Sequence, residues 1–298
     1  MDARRSPWRR IAERRSDITM PNQSASILSV PPQSDTISVV QVTDCHLSQS
    51  RGGTLLEMDT DDSLGAVLQI VREERTALDL ILATGDLSDH GAEGAYTRLA
   101  GYLDDFAVPH CWLPGNHDDR DAMERAFPGD SRLYSEVTIG RWHIVMLDSQ
   151  IPGEVGGRLG REQIALLEQA LQRAREKDAH VLICLHHQPV PVGSDWLDKQ
   201  QVSDADALFN LTDRHPQVKG ILWGHVHQQV DFERNGVKLM ASPSTCVQFA
   251  PELEDFRVDD KGPGYRWLEL TPEGDIRTGV SRVTSREFIV DLESGGYS

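Results

Sequence analysis

Short apolar runs alternate with stretches of helical periodicity along most of the chain. Five runs, rich in aliphatic and β-branched residues, are predicted to be buried strands: 37–43, 79–84, 110–113, 180–185 and 218–223. Three stretches carry apolar residues at helical spacing: 64–71, 96–106 and 164–174. Buried strands joined by helices predict an α/β fold, with a largely parallel sheet and helices on its outside.

Paired strands with tight turns are predicted in addition to this alternation. Residues 134–147 read as one hairpin that turns at Gly140-Arg141. The C-terminal third is β-rich, with turn signals at Asn235-Gly236 and at Glu273-Gly274-Asp275. These hairpins indicate a second sheet packed on the first.

The first 36 residues differ from the rest in composition. They contain six Arg and four acidic residues, and a stretch rich in Ser, Pro and Gln follows the arginines without apolar periodicity. We expect residues 1–36 to be a disordered arm, or a mis-assigned extension if Met20 is the true start. No apolar run follows the arginines, so a secretory signal is not expected. Residues 37–298 are then one domain that includes the β-rich C-terminal part.

The charge of the chain limits its partners. Its 298 residues carry 30 Lys and Arg against 47 Asp and Glu, a formal net charge of −17. Long polyanions such as nucleic acids are disfavoured by this charge, and no run approaches the roughly 20 apolar residues of a membrane helix. We therefore expect no nucleic-acid partner and no membrane partner.

Four cysteines without a CxxC pair indicate reduced, mostly buried thiols.

Each of the five predicted strands runs directly into side chains that can bind metal ions. The clusters are Asp44-Cys45-His46, Gly85-Asp86, Gly115-Asn116-His117-Asp118, His186-His187 and Gly224-His225-Val226-His227. Any one of them could be a turn or a helix cap. Because the carboxyl ends of strands in such a sheet form one rim, all five together predict a single site.

This ordered set of motifs resembles the calcineurin-like metallophosphoesterase family over about residues 37–248. The resemblance implies a four-layer α/β/β/α sandwich with two packed mixed sheets, and a centre of two metal ions. One ion would be held by Asp44, His46, Asp86 and His227, and the other by Asp86, Asn116, His186 and His225. The resemblance implies iron or manganese as the metals. Zinc is an alternative, because the ligand types are compatible with all three.

The resemblance also assigns roles within the site. We expect His117 and Asp118 to be catalytic, with Asp118 holding the His117 ring. A metal-activated water would attack phosphorus in line with the leaving oxygen, which His117 would protonate. The alternative is that His117 only hydrogen-bonds the phosphate. The side chains expected to contact substrate are His46, Asp86, Asn116, His117 and His227.

One departure from the family pattern and one further resemblance narrow the range of substrates. The second motif reads GDLSDHG, with His90 where protein phosphatases of this family have an arginine, so a small diester is favoured. Residues 242–256 and 262–270 resemble the class III cyclic nucleotide phosphodiesterases. That likeness implies hydrolysis of 3′,5′-cyclic AMP to 5′-AMP in the cytoplasm. The alternatives are another small-molecule diesterase or, in a different class, a scaffold that binds without catalysis.

Two further segments have open interpretations. The polar segment 188–209 could be a lid or a contact in a homodimer, and Trp196 within it could stack on a base or lie in an interface. Ser244, Thr245 and Cys246 could line the substrate pocket or only pack a turn.

Overall fold

The computed structural model describes residues 25–296. Within that range the strands are β1 Ile27–Val30, β2 Ile37–Val42, β3 Thr54–Leu55, β4 Met58–Asp59, β5 Leu80–Thr84, β6 His110–Leu113, β7 Glu136–Ile139, β8 Trp142–Met146, β9 His180–Cys184, β10 Val218–Trp223, β11 Val230–Arg234, β12 Val237–Ala241, β13 Gln248–Phe249, β14 Val258–Asp259, β15 Gly264–Leu270 and β16 Ile276–Arg282. The helices are α1 Thr60–Glu74, α2 Glu93–Asp104, α3 Arg120–Ala126, α4 Gly160–Glu176, α5 Asp195–Asp198 and α6 Ala205–Thr212.

Twelve of these strands form two mixed sheets. The larger sheet has the order β1-β7-β8-β9-β10-β12-β11, and the smaller has the order β16-β15-β2-β5-β6. Both sheets contain parallel and antiparallel pairs: β8-β9-β10-β12 and β2-β5-β6 are parallel, as is β1 with β7, whereas β7–β8, β11–β12, β15–β16 and β15–β2 are antiparallel. The predicted hairpins are confirmed as β7–β8, β11–β12 and β15–β16.

The tight turn between β11 and β12 shows how the local sequence fixes a register. Arg234 pairs with Val237, so Asn235 and Gly236 alone make the turn. Both have positive φ, 53° and 78°, as a type I′ turn requires. The predicted turn at Asn235-Gly236 is therefore confirmed in position and in chemistry.

Three apolar layers hold the sheets and helices together. One lies between the two sheets, where Val39 and Leu82 of the smaller sheet meet Ile144 and Leu222 of the larger. A second lies between the larger sheet and α4 and α6, and a third between the smaller sheet and α1 and α2. The order of layers is thus helix, sheet, sheet, helix, which confirms the predicted α/β/β/α sandwich.

The strand arrangement differs from the sequence-based expectation in two respects. The five predicted buried strands do not share one sheet: β2, β5 and β6 lie in the smaller sheet, whereas β9 and β10 lie in the larger. In addition, Ile27–Val30 lies inside the predicted arm but forms β1, which pairs in parallel with β7. The arm predicted for residues 1–36 therefore cannot extend to residue 36. Its residues 1–24 lie outside the described residues.

The search for a helix able to cross a membrane gave none among residues 25–296. Every helix in that range lacks the combination of length and apolar composition that a membrane span needs.

Candidate metal centre

The five motif-bearing segments meet at one end of both sheets. Asp44 and His46 follow β2, and the amide of Asp44 donates to the Gly85 carbonyl at the end of β5, at 2.9 Å. In the larger sheet, the Gly224 amide after β10 donates to the carbonyl of His186 after the neighbouring strand β9, at 3.1 Å. These bonds tie neighbouring strand ends together. Both sheets therefore contribute side chains to the same rim.

The residues that turn the chain at this rim have left-handed backbone conformations. Five metal-ligand candidates have positive φ: Asp44 (54°), His46 (45°), Asp86 (49°), His225 (64°) and His227 (50°). Few residues other than glycine adopt such angles, and they concentrate at functional sites. The turn lets each side chain point inward at the end of its strand.

Glycines in the motifs make room for the neighbouring ligands. A Cβ on Gly115 would overlap the Asp86 carboxylate, and a Cβ on Gly85 would overlap the His186 ring. Gly85 also has a positive φ of 97°. The glycine before each of Asp86 and Asn116 is therefore required by close packing.

Asp44, His46 and His227 form the first group of ligand candidates. The Nε2 atom of His227 lies 3.3 Å from Oδ1 of Asp44 and 3.4 Å from Nε2 of His46. One ligand atom from each of the three lies within 4.8 Å of the others, and all three side chains are buried. The sequence analysis assigned these three, with Asp86, to one metal ion.

The second group contains Asp86, Asn116, His186 and His225. The Nε2 atom of His186 lies 3.2 Å from Oδ2 of Asp86 and 3.2 Å from Oδ1 of Asn116. The rings of His186 and His225 have centroids 5.2 Å apart. His187 lies with these two imidazoles, but its ring contacts the Ser149 hydroxyl at 2.8 Å. The expectation that His187 is a buried polar neighbour of the site agrees with this contact.

Asp86 lies between the two groups. Its Oδ2 atom is 3.2 Å from Nε2 of His186 and 3.9 Å from Nε2 of His46. Its Oδ1 atom accepts the backbone N–H of His117 at 2.8 Å. A carboxylate in this place can span two ions about 3.5–4 Å apart, as a two-metal site needs.

The four imidazoles of the two groups are each held through one ring nitrogen. The contacts are His186 Nδ1 to Thr84 O at 2.9 Å, His227 Nδ1 to Val247 O at 2.7 Å, His46 Nδ1 to Asp89 Oδ1 at 3.4 Å, and His225 Nε2 to Gln200 Oε1 at 3.0 Å. Metal-bound histidines in proteins characteristically have such a partner on the second nitrogen. The other nitrogen of each ring would be the one to bind an ion.

The electrostatics of the cluster favour a bound cation. Burial alone would raise the pKa of Asp86, but the nearby imidazoles of His186, His117 and His46 hold that pKa well below its usual range. Burial lowers the pKa of His186, yet Asp86 and Asp44 outweigh it and raise the pKa to about 9. Buried carboxylates thus require positive charge within the cluster, which metal ions can supply.

His117 has contacts different from those of its neighbour Asn116, which lies beside His186. Its ring is partly exposed, with 18% of the side chain accessible. The Nδ1 atom lies 3.0 Å from the backbone oxygen of Asp89 and 3.9 Å from its carboxylate. The ring packs edge-on against His46, with centroids 4.8 Å apart. One nitrogen of His117 is therefore anchored at the edge of the metal cluster.

Asp118 does not have the contacts that were expected of it. Its carboxylate accepts the backbone N–H groups of Leu87, Ser88 and Gly115 at 3.2, 2.9 and 2.9 Å, and the Tyr96 hydroxyl at 3.0 Å. Burial and the charge of Asp86 raise the pKa of Asp118 to about 6. Asp118 joins the loops after β5 and β6, and Asp89 is the acid beside the His117 ring.

A comparison with protein families decides the relationship. Residues 37–229 match the calcineurin-like phosphoesterase family, and this range contains every side chain of the two groups. The chain belongs to the calcineurin-like phosphoesterase family.

Individual members of the family are similar over nearly the whole chain. The 3′,5′-cyclic adenosine monophosphate phosphodiesterase CpdA of Pseudomonas aeruginosa is 45% identical over 269 residues, which cover 90% of this chain and 98% of that protein. The protein of the same name from Escherichia coli K12 is 40% identical over 276 residues, covering 91% of this chain and 99% of its own length.

Solved structures of distant proteins share the fold. A dimetal phosphatase from Danio rerio aligns with a TM-score of 0.58 at 14% identity, over 84% of this chain and all of that chain. A purple acid phosphatase from yellow lupin aligns with a TM-score of 0.62 at 16% identity, over 87% of this chain and 54% of that one. At this identity, the likeness supports the calcineurin-like phosphoesterase architecture alone.

Two residues beside the calcineurin-like phosphoesterase motifs were missed by the sequence analysis. Asp89, which contacts His46 and His117, is the second acid of the GDx2D pattern, so the motif itself carried the signal. Gln200, which contacts His225, lies in a polar segment without a motif. No pattern in the sequence singles it out.

The segment 188–209 is packed against the rest of the domain. Val192, Leu197 and Val202 are buried in the core beside the larger sheet. Trp196 packs edge-on against Phe249 and Phe256, with centroids 5.2 and 5.1 Å apart. The observed contacts of Trp196 are therefore internal aromatic packing near the metal cluster.

Residues 244–246 support the loop that carries Asp44. The Ser244 hydroxyl donates to the Asp44 carbonyl at 2.7 Å, and the Thr245 amide donates to the Thr43 carbonyl at 3.1 Å. Ser244, Thr245 and Cys246 are fully buried. Of the two roles considered for them, the contacts agree with packing a turn.

Proposed function

We propose that this chain hydrolyses 3′,5′-cyclic AMP to 5′-AMP. The observation that carries the proposal is the similarity of 40–45% over about 90% of the chain to proteins named as cyclic AMP phosphodiesterases. The ligand geometry supports it, since all seven metal-ligand candidates lie at one rim of the two sheets. A scaffold without catalysis would have no need for the complete set.

Two groups of residues would hold the metal ions. Asp44, His46 and His227 would bind one ion, whereas Asn116, His186 and His225 would bind the other, with Asp86 shared between them. Their nitrogen and oxygen donors suit iron, manganese or zinc, and the absence of a thiolate among them disfavours a structural zinc site. When bound, the two ions supply a water of lowered pKa and positive charge beside the phosphoryl oxygens.

The protein's own residues orient the phosphate and deliver the proton. We assign His117 as the group that protonates the leaving ribose oxygen as the bond from that oxygen to phosphorus breaks. Asp89 contacts Nδ1 of that ring, and we assign Nε2 as the nitrogen that protonates the leaving oxygen. The side chains proposed to contact the phosphate are His46, Asp86, Asn116, His117 and His227.

The proposed place of action is the cytoplasm. The four cysteines are free and buried, as is typical of proteins from a reducing compartment. The proposed substrate is a small cyclic nucleotide with a single negative charge. A substrate of this kind does not require the basic surface that nucleic acids need.

The experiment is a comparison of two diesters. Metal-free protein is loaded with manganese or iron and given cyclic AMP or bis(p-nitrophenyl) phosphate, with release of 5′-AMP or nitrophenol as the readout. We expect efficient release of 5′-AMP, and loss of both reactions in Asp44→Asn. Hydrolysis of the aryl diester without hydrolysis of cyclic AMP would retain the diesterase and overturn the substrate. Inactivity on both, with two ions bound, would favour the scaffold.

A further inference from the structure

The partner of His225 differs from those of the other three imidazoles. His186 and His227 are held by backbone carbonyls, and His46 lies beside a carboxylate from a neighbouring motif. His225 is instead held by the side-chain amide of Gln200, at 3.0 Å. Gln200 comes from the segment after α5, outside all five motifs. One ligand of the second metal is therefore oriented by a separate part of the chain.

The backbone around Gln200 is fixed on both sides. Its amide donates to the Leu197 carbonyl at 2.8 Å, and its carbonyl accepts the Gly157 amide at 3.3 Å. Ser203 donates in turn to the Gly157 carbonyl at 2.8 Å, and the intervening Val202 is buried in the core. This double connection to Gly157 fixes the backbone from which the Gln200 side chain reaches Nε2 of His225.

We propose that Gln200 is a positioning residue for the second metal ion. Its Oε1 atom accepts the Nε2–H of His225 and so fixes the ring form in which Nδ1 has a free lone pair for the ion. The opposite ring form would place a proton on Nδ1 and block the ligand. The Gln200–His225 contact thus controls affinity at the second position, whereas the first position is built from Asp44, His46 and His227.

The proposal rests on the two-metal site proposed above, and two variants test it separately from that site. Gln200→Met removes the amide oxygen at similar length, and Gln200→Glu retains an acceptor. Gln172→Leu on the exposed face of α4 is the control for a surface change. Metal-free proteins are titrated with Mn²⁺ by calorimetry, and thermal unfolding is followed in parallel to verify the fold. Gln200→Leu replaces Gln200→Met if the latter does not fold.

Wild type and Gln172→Leu are expected to bind two ions with equal affinities. In Gln200→Met, the first ion should bind unchanged and the second about 10–100-fold more weakly, the usual effect of removing the partner of a metal-bound histidine. Gln200→Glu should restore the second affinity. Unchanged binding in Gln200→Met, or equal loss in Gln200→Glu, would overturn the role of Gln200. Wild-type protein that binds fewer than two ions would instead refute the two-metal site itself.

Discussion

Phe249 lies flat against the imidazole of His227, with ring centroids 4.1 Å apart and ring planes 8° apart. Phe249 is itself almost fully buried and packs against Trp196 on another side. The His227 ring is therefore fixed by the Val247 carbonyl at Nδ1 and by an aromatic face. Both contacts come from the segment 247–249, so the C-terminal part of the chain helps to shape the first metal position.

Phe249→Leu tests this arrangement. A smaller aliphatic side chain at a buried position should lower the free energy of unfolding by about 1–2 kcal/mol, because apolar contacts are lost and a small cavity is left. It should also weaken binding of the ion at Asp44, His46 and His227, because the His227 ring gains freedom. Urea unfolding and Mn²⁺ titration measure the two effects. Phe106→Leu, at a half-buried position packed against the core beside the smaller sheet, is the control that should lose stability without a change in metal affinity.

Removing Asp86 should abolish metal binding and activity together. The side chain lies between the two groups, so Asp86→Ala deprives both ions of a ligand. We expect metal content near zero by elemental analysis after dialysis, and cyclic AMP hydrolysis at the level of metal-free protein. Retention of one tightly bound ion would show that Asp86 serves one position only.

His117→Ala should separate catalysis from metal binding. The ring is anchored by Asp89 at the edge of the cluster, so its loss should leave two ions bound. The catalytic constant for cyclic AMP should fall about 100-fold or more, the usual scale for a general acid. Elemental analysis and steady-state kinetics give the two readouts.

The leaving group distinguishes the two roles considered for His117. Nitrophenolate leaves without protonation, so bis(p-nitrophenyl) phosphate should lose much less activity in His117→Ala than cyclic AMP does. Equal losses on both substrates would indicate that His117 only binds the phosphate. An empty metal site in His117→Ala would contradict the division of roles altogether.

A buried ion pair outside the metal cluster should make stability depend on pH. Glu136 on β7 contacts His143 and Arg173, and burial, which raises its pKa, is outweighed by these partners, which lower it below the ordinary 4.5. Glu136→Gln should therefore cost about 1.5–3 kcal/mol at pH 7. The stabilisation is fully present above the unfolded pKa and declines as pH falls through the folded one.

Urea unfolding at pH 7 and pH 4 measures this difference. The unfolded chain takes up a proton at Glu136 near pH 4.5, before the folded protein does, so the advantage of wild type over Glu136→Gln should be smaller at pH 4 than at pH 7. The same gap between wild type and Glu136→Gln at both values would show that the pKa of Glu136 is not lowered in the folded protein.

The motif residues could be located from sequence because each follows a buried strand. The runs that end at Val42, Thr84 and Trp223 are mostly apolar, and the next residues able to bind metal are expected at the rim. The division of these strands between two sheets could not be predicted, because no pattern in the sequence indicates it. Periodicity reports that β9 and β5 are buried, but not which strands they pair with.

Short elements and single side-chain partners could not be predicted from the sequence for a related reason. Ile27–Val30 is only four residues long and has polar residues around it in the sequence. Its partner strand, β7, lies more than 100 residues later in the chain. Asp118 and Asp89 are both acids near His117, and only the backbone path decides which one faces the ring. Gln200 lies 25 residues before His225, and folding of the intervening chain brings them together.

The left-handed conformations of Asp44, His46, Asp86, His225 and His227 have a consequence for how this protein tolerates change. Each such conformation in a residue other than glycine costs about 1–3 kcal/mol, which the surrounding structure must offset. Glycine at any of these positions would relieve that strain and delete a ligand in the same step. Directed evolution for heat resistance without an activity screen should therefore select glycine at these five positions early. Metal binding needs the present side chains there, whereas stability of the backbone favours glycine.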